Sequence, residues 1–156
     1  MRLFRAPALL VIDALPSSVS AADLHGKRAD RLVLTWEERR WMRGRFTTEM
    51  GRSIAIALPT GTKIEPGQVL CLADDWYLTM EAAPERLLLI HTRDPQQTVL
   101  AAFEVGNLHF PLALDPEGLL VPDDSAMVQL LDRMGLRWER RTAAFQPIGK
   151  GQPHGF

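Results

Sequence analysis

The spacing of apolar residues changes partway along the chain. Over the first 80 residues, short apolar or alternating runs recur at intervals of roughly 8–12 residues, and turn signals such as Thr60-Gly61 and Pro66-Gly67 separate them. This pattern predicts a small β sandwich or barrel. The predicted strands cover residues 8–12, 31–36, 44–48, 53–59, 69–72 and 76–80.

From residue 81 onward the pattern alternates between strands and helices. An almost wholly apolar run at 86–90 predicts a buried strand. Asp94 followed by Pro95 predicts the cap and the first residue of a helix, which we expect to end at Gly106. The apolar residues of this helix form an imperfect stripe, namely Val99, Leu100, Phe103 and Val105.

A hairpin, a second helix and a last strand complete this half. The hairpin strands are predicted at 110–114 and 118–121, and the last strand at 136–145. The helix is predicted after Asp124-Ser125 and ends at Gly135. Its apolar residues at helical spacing are Met127, Leu130, Leu131 and Met134.

The order of these elements is βαββαβ, the ferredoxin-like unit. The sequence therefore predicts an α+β protein with a small β-rich N-terminal domain followed by a ferredoxin-like domain. The predicted boundaries are 1–80 for the β-rich domain, 81–146 for the ferredoxin-like domain and 147–156 for a flexible tail that contains Gly and Pro.

Composition narrows the class of protein. The chain has 156 residues with 46% hydrophobic content and a net charge of -1, so no overall basic field would attract nucleic acid. A single cysteine, Cys71, excludes an intrachain disulfide and favours a reducing compartment. The N-terminal apolar run contains Pro7 and ends at Asp13, which favours a strand over a signal peptide. We expect a cytoplasmic protein that neither spans a membrane nor binds nucleic acid.

Catalytic motifs are absent from the sequence. It contains no phosphate-binding glycine loop, no nucleophile elbow and no H-E-x-x-H zinc motif. Cys71 lies in V-L-C-L, which is typical of a strand core, and Asp74-Asp75 precede a strand as turn residues do. We expect the protein not to be an enzyme.

A basic segment at 39–45, R-R-W-M-R-G-R, has three interpretations. Arginine beside an aromatic residue can bind an RNA backbone and stack on bases. The acidic pair Glu37-Glu38 directly before it weakens that interpretation. A solvated strand edge or hairpin turn is favoured, a protein- or peptide-docking surface comes second, and nucleic-acid binding comes last.

The four histidines differ in their surroundings. His25 lies in a polar loop, and His91 ends an apolar strand where a backbone hydrogen bond is the usual arrangement. His154 lies in the predicted tail. His109 stands between a helix end and a strand, and from the residues alone it is either a capping or core residue or a metal ligand.

Several motifs resemble those of the urease accessory protein E (UreE) family, the nickel metallochaperones of urease maturation. G-N-L-H-F-P-L at 106–112 resembles the family's G-N-R-H-x-P-L segment. L-T-W-E-E-R-R-W-M-R-G-R-F-T-T at 34–48 resembles its first-domain signature, and G-R-S-I-A-I-A-L-P-T-G at 51–61 its next strand and turn. Further similarities follow at 67–70, 130–136 and 145–147, so the resemblance covers nearly the whole chain.

The resemblance implies a nickel-binding metallochaperone that delivers Ni(II) to urease. It implies a β-rich domain described as peptide-binding, and a homodimer formed through the ferredoxin-like domain. In the family, the motif histidine meets its twin across the dimer and the pair binds one nickel ion. That position is His109 here. Imidazole also suits Cu(II) and Zn(II), which would compete with nickel. The implied partners are the urease accessory GTPase and the urease maturation complex.

Three departures from the family pattern affect the expected site. Leu108 replaces the arginine before the motif histidine, and F-E-V at 103–105 replaces the usual aromatic-His-Leu. The histidine-rich tail of many members is reduced to His154. We therefore expect His109 as the main nickel ligand and His154 as a further ligand, without bulk storage of metal. The alternative is a non-catalytic ferredoxin-like protein- or RNA-binding module, which would use residues 39–45 and leave His109 structural.

Overall fold

The computed structural model describes residues 9–149, which separate into two compact units, 9–82 and 83–149. His154 and most of the predicted tail lie outside the described residues. The prediction of an α+β fold is confirmed. None of the helices between residues 9 and 149 is long and apolar enough to cross a membrane.

The first unit contains two three-stranded sheets. Its elements are β1 (Leu10–Ile12), α1 (Ala21–Leu24), β2 (Arg28–Leu34), α2 (Trp36–Trp41), β3 (Arg43–Thr47), β4 (Ser53–Ala57), β5 (Val69–Leu72) and β6 (Trp76–Ala82). One sheet has the order β1-β4-β3 and the other β2-β6-β5, each with one parallel and one antiparallel pair. Alternate residues of both sheets form a shared core that includes Ile54, Leu78 and Met80.

Helix α2 replaces part of a predicted strand. The expected strand at 31–36 ends at Leu34, and Thr35 caps the new helix by accepting a hydrogen bond from the backbone N–H of Glu38. The Glu38 carboxylate accepts a bond from the Thr35 N–H in return, which completes a capping box. The basic segment is therefore not a hairpin turn: it begins on this helix and continues into β3.

A buried carboxylate, that of Asp30, stabilises the first unit through several hydrogen bonds. Asp30 is 1% exposed and accepts hydrogen bonds from the Thr48 hydroxyl at 2.7 Å and from Arg52 Nη1 at 2.6 Å. Backbone N–H groups of Arg31 and Met50 donate to its other oxygen. Burial alone would raise the pKa of Asp30, but these four donors outweigh it and hold the pKa below its ordinary value.

The second unit has the predicted ferredoxin-like order. Its elements are β7 (Pro84–His91), α3 (Pro95–Asn107), β8 (Ala113–Asp115), β9 (Gly118–Pro122), α4 (Ser125–Arg133) and β10 (Arg137–Ala144). The sheet order is β10-β7-β9-β8 and every pair is antiparallel. One face of this sheet packs against the two helices, and Leu88, Ile90, Leu119 and Val121 face them.

Both helices begin as predicted, but the first ends later. Asp94 and Asp124 accept hydrogen bonds from backbone N–H groups in the first turns of α3 and α4. Helix α3 runs through Gly106 and ends at Asn107, and β8 begins three residues after the predicted position 110. The prediction that Gly106 ends the helix was wrong because the left-handed residue is His109.

Candidate functional site

His109 occupies the left-handed position at the end of α3. Its φ is 60°, its backbone N–H donates to the Gly106 carbonyl at 2.9 Å, and the Phe110 N–H donates to the Val105 carbonyl at 3.3 Å. These two bonds form a Schellman motif, the usual way to satisfy the last carbonyls of a helix. The motif fixes the backbone on both sides of His109.

A histidine at this position is unfavourable for the backbone. Side chains other than glycine lose roughly 1–2 kcal/mol in the left-handed region, because Cβ approaches the following carbonyl oxygen. Backbone strain of this kind concentrates at functional sites. His109 is exposed, so the structure excludes the core position that its sequence context left open.

Helix α3 also exposes apolar side chains. Val99 is 69%, Leu100 52% and Phe103 62% exposed, whereas Ala101 and Val105 are fully buried. Three of the four residues in the predicted stripe therefore face away from the core. Val99, Phe103 and Asn107 follow one another at i, i+4 spacing, so this apolar face runs toward the end of the helix that carries His109.

The sequence contained this surface, but its pattern did not separate the two sides of α3. Small residues such as Ala101 and Ala102 pack against the sheet, while the larger apolar residues lie on the other side. A helix that places alanine inward and phenylalanine outward reverses the usual order of burial. The sequence does not show this reversal, because it does not reveal which side of α3 packs against the sheet.

Two other histidines, His25 and His91, lie within residues 9–149. His25 is exposed at the end of α1. His91 ends β7, and its buried Nε2 lies 3.6 Å from Glu139 Oε2 without a hydrogen bond inside the described chain. The predicted backbone bond is thus not made by that nitrogen. Across residues 9–149 no three His, Cys, Asp or Glu side chains gather to hold a metal ion.

Cys71, Asp74 and Asp75 take part in packing and polar contacts of the first unit. Cys71 lies half-buried in β5 against the core of the first unit, and burial raises the pKa of its thiol. Asp75 lies in the turn before β6 and forms an ion pair with Arg28 at 2.7 Å. The Asp74 carbonyl accepts a hydrogen bond from Lys27 Nζ. None of these side chains has the surroundings of an activated nucleophile or acid.

The end of α3 carries an exposed side chain that is able to ligate a metal ion. It presents the exposed imidazole of His109 on a fixed turn, directly after the exposed side chain of Leu108. A neutral imidazole ligates borderline metals such as nickel, copper and zinc. One imidazole does not complete a metal site, and residues 9–149 contain no group of three or more His, Cys, Asp or Glu side chains that could do so.

Together, the fold and site define a two-domain α+β protein, with a β-rich unit before a ferredoxin-like unit that presents one strained, exposed histidine. Two family models match the chain: the N-terminal domain of the UreE urease accessory protein over residues 12–83 and its C-terminal domain over residues 85–155. The chain belongs to the UreE urease accessory protein family.

Individual relatives agree with these matches. A urease accessory protein UreE from Cupriavidus necator is 32% identical over 152 residues, which cover 94% of this chain and 79% of the relative. One from a Synechococcus strain is 36% identical over 114 residues, or 73% of this chain and 76% of the relative. One from Burkholderia ambifaria is 34% identical over 132 residues, and the match spans 82% of this chain and 65% of that protein.

Proposed function

We propose that the protein is a nickel metallochaperone whose metal site is shared by two copies of the chain. His109 from each subunit ligates one Ni(II) ion, and the cargo is delivered to urease during maturation of its active site. The observation that carries the proposal is the position of His109, exposed on a strained turn at the end of the apolar face of α3.

The apolar face supports the homodimer. Val99, Leu100 and Phe103 are each more than half exposed. Contiguous exposed apolar residues are typical of an interaction surface. In a twofold interface the same face is used by both subunits, so residues near the axis approach their own copies. A dimer formed through this face of α3 would bring the two His109 side chains to one site.

His154 is proposed as a further ligand. It belongs to the matched C-terminal family region, although it lies outside the described residues. The fixed turn at His109 reduces the entropy lost on metal binding, so the His109 pair should contribute most of the affinity. A tail residue loses more conformational freedom when it ligates, and its contribution should be modest.

Delivery of the metal completes the proposed function. The relatives are named urease accessory proteins, and this name supports a role for the chain beside urease. We propose that the dimer docks the urease accessory GTPase and the urease maturation complex and transfers Ni(II) to them without catalysing a reaction itself. Cu(II) and Zn(II) should compete for the imidazole pair, and copper should compete strongly because it stands above nickel in the usual affinity order.

Calorimetric titration with nickel tests the shared site. The protein should bind one tight Ni(II) per dimer, and His109→Ala should abolish this site, because the substitution removes two ligands at once. His25→Ala, which removes another exposed histidine, is the matched control and should leave binding unchanged. If His109→Ala retains one nickel per dimer at full strength, the proposed site is wrong.

Removal of residues 152–156 tests the tail, and urease assays in cells test delivery. The truncation should weaken nickel binding modestly and leave the dimer intact; unchanged affinity would exclude His154 as a ligand.

Loss of the gene should lower urease activity in low-nickel medium, with partial rescue by excess nickel. Restoration by the wild type but not by His109→Ala would link the site to delivery, whereas normal urease activity without the protein would contradict the proposal.

A further inference from the structure

His91 and Glu139 lie beside each other on one face of the sheet in the second unit. Leu88 and Ile90 of β7 face the helices, so the side chain of His91 lies on the opposite face. Glu139 projects from the neighbouring strand β10 on that same face, because it lies opposite Leu89. The end of β7 and the start of β10 thus bring one imidazole and one carboxylate together.

The distance between these two side chains fits neither a hydrogen bond nor a bridging water. His91 Nε2 lies 3.6 Å from Glu139 Oε2, and within the described part of the chain this buried nitrogen has no hydrogen-bond partner. A direct bond would hold the two atoms about 2.9 Å apart, and a water bonded to both at a tetrahedral angle would separate them by about 4.6 Å. Buried polar atoms without a partner are rare in native folds, and a bound ion is one way to satisfy them.

The same distance fits a tetrahedral metal ion. Zinc binds an imidazole nitrogen at about 2.0–2.1 Å and a carboxylate oxygen at about 2.0–2.2 Å. At a tetrahedral angle these lengths place the two ligand atoms about 3.4 Å apart, which is close to the observed 3.6 Å. The square-planar geometry of copper and nickel would bring neighbouring ligand atoms to about 2.9 Å. The spacing therefore favours zinc over copper or nickel.

Arg141 orients the carboxylate and leaves one of its oxygens for an ion. Its Nη2 donates to Glu139 Oε1 at 3.3 Å, and the other oxygen, Oε2, lies nearest to His91. Carboxylates that ligate metals are commonly held by such hydrogen bonds. Three acidic side chains outnumber two basic ones around this pair, so the surroundings accept a dication. These side chains are Asp115, Glu117, Glu139, Arg137 and Arg141.

We propose that His91 and Glu139 of each chain bind a zinc ion, with water in the remaining positions. The Glu139 side chain is 49% exposed, so the ion and its water ligands reach the pair from that side. Zinc completes its coordination with water where the protein supplies fewer ligands than it needs. The bound ion ties the end of β7, just before α3, to β10 and stabilises the second unit. This site is separate from His109 and independent of nickel delivery.

Calorimetric titration with zinc tests the site in the full-length protein. His109→Ala serves as the background, because it removes the proposed shared site, and it should still bind one zinc ion per chain. Addition of His91→Ala should raise the zinc dissociation constant roughly tenfold or more. Addition of His25→Ala is the matched control and should leave that constant unchanged. In NMR spectra of the background, zinc should shift the imidazole signals of His91 but not those of His25.

Glu139→Gln is a second variant that keeps the shape of the side chain and removes its charge. In the same background it should also weaken zinc binding roughly tenfold, and it decides the question if His91→Ala fails to fold. Zinc should raise the melting temperature of the His109→Ala background, because an ion that binds only the folded chain stabilises it. Neither His91→Ala nor Glu139→Gln should retain this increase.

The remaining outcomes overturn the proposal. If the background binds no zinc, or binds it equally well without His91 or the Glu139 carboxylate, these two residues are not ligands. If the imidazole signals of His91 respond to pH but not to zinc, the two side chains form an ion pair without a metal. The nickel site at His109 is counted per dimer and the zinc site per chain, so failure of one proposal is distinguishable from failure of the other.

Discussion

Helices α3 and α4 end in the same way but with different residues. In both, the second residue after the helix is left-handed, with φ of 60° at His109 and 63° at Gly135. Both ends make the same pair of hydrogen bonds, since Leu136 N–H donates to the Leu131 carbonyl and Gly135 N–H to the Asp132 carbonyl. Glycine is the usual residue at this position because it has no Cβ. Only α3 places a histidine there.

The two helices also differ in what they bury. Helix α4 buries its large apolar residues, Met127, Leu130 and Leu131. Helix α3 buries only Ala101 and Val105 and leaves larger side chains exposed. Thus α4 has the composition expected of an element that stabilises the fold. Helix α3 leaves large apolar side chains exposed along its side and has a strained backbone at its end. The exposed side chains lie in the proposed dimer interface, and the strained residue lies at the proposed metal site.

Phe103→Glu should have the largest effect, on the association of subunits. Burial of a phenylalanine side chain contributes about 2 kcal/mol, and a twofold interface contains two copies, so dimer formation should weaken by about 4 kcal/mol or roughly a thousandfold. Sedimentation velocity over a range of concentrations measures this. Met50→Glu changes another exposed apolar residue, in the first unit, and should leave the dimer intact. Equal dissociation by both variants would remove α3 from the interface.

Leu131→Ala should have the next largest effect, on folding. Removal of a fully buried leucine from a packed core lowers the free energy of unfolding by about 3 kcal/mol. Leu100→Ala is the matched change on α3 and should cost well under about 1 kcal/mol in the monomer, because Leu100 is half exposed. Urea unfolding at several protein concentrations separates the two. Only the loss of unfolding free energy in Leu100→Ala should depend on protein concentration. A concentration-dependent loss in Leu131→Ala would contradict the contrast drawn between α3 and α4.

Asp30→Asn should destabilise the first unit by about 2 kcal/mol, because Arg52, which is partly exposed, loses its charged hydrogen-bond partner. The pKa of Asp30 is lower in the folded chain than its ordinary value. Its carboxylate therefore stabilises the fold at neutral pH, and this contribution is lost as the pH falls through the lowered pKa. Urea unfolding of both proteins across pH should show the difference disappear in acid. A constant difference would mean that the charge of Asp30 is not responsible.

Local chemistry at helix ends was predictable, and contacts between distant segments were not. Asp94 with Pro95 and Asp124 marked the helix starts correctly, since a cap acts on backbone groups within one turn. The capping box from Thr35 to Glu38 carried the same signal for α2, but the alternating apolar residues before it favoured a longer strand.

The end of α3 shows where such prediction fails. Gly106 is the obvious stop signal, yet the helix continues past it. Val105 and Phe110 both pack on the core of the second unit, and their spacing fits the apolar contact that accompanies a Schellman motif. That contact places the left-handed residue at 109. Which side of α3 the sheet covers is likewise set by β7 and β9, which lie outside the helix, so the exposed apolar face could not be assigned from the helix alone.

The smallest effect concerns the backbone of His109 and separates strain from ligand chemistry. His109→Gly and His109→Ala both remove the imidazole and any contact it makes, so they differ only in the freedom of the backbone. Because alanine retains a Cβ at φ 60° and glycine does not, the glycine variant should be more stable by about 1 kcal/mol. Glycine also gains entropy in the unfolded chain, which offsets part of this difference.

The same comparison of glycine with alanine at position 135 supplies the reference, because Gly135 adopts nearly the same φ as His109. Gly135→Ala should lower the free energy of unfolding by about 1 kcal/mol, the amount by which the two His109 variants differ. Thermal and urea unfolding of the four proteins measures both differences, and nickel titration should show that neither His109 variant binds the shared ion. If His109→Gly were no more stable than His109→Ala, the turn would adopt its conformation without strain. The backbone at the end of α3 would then give no support to a functional role for His109.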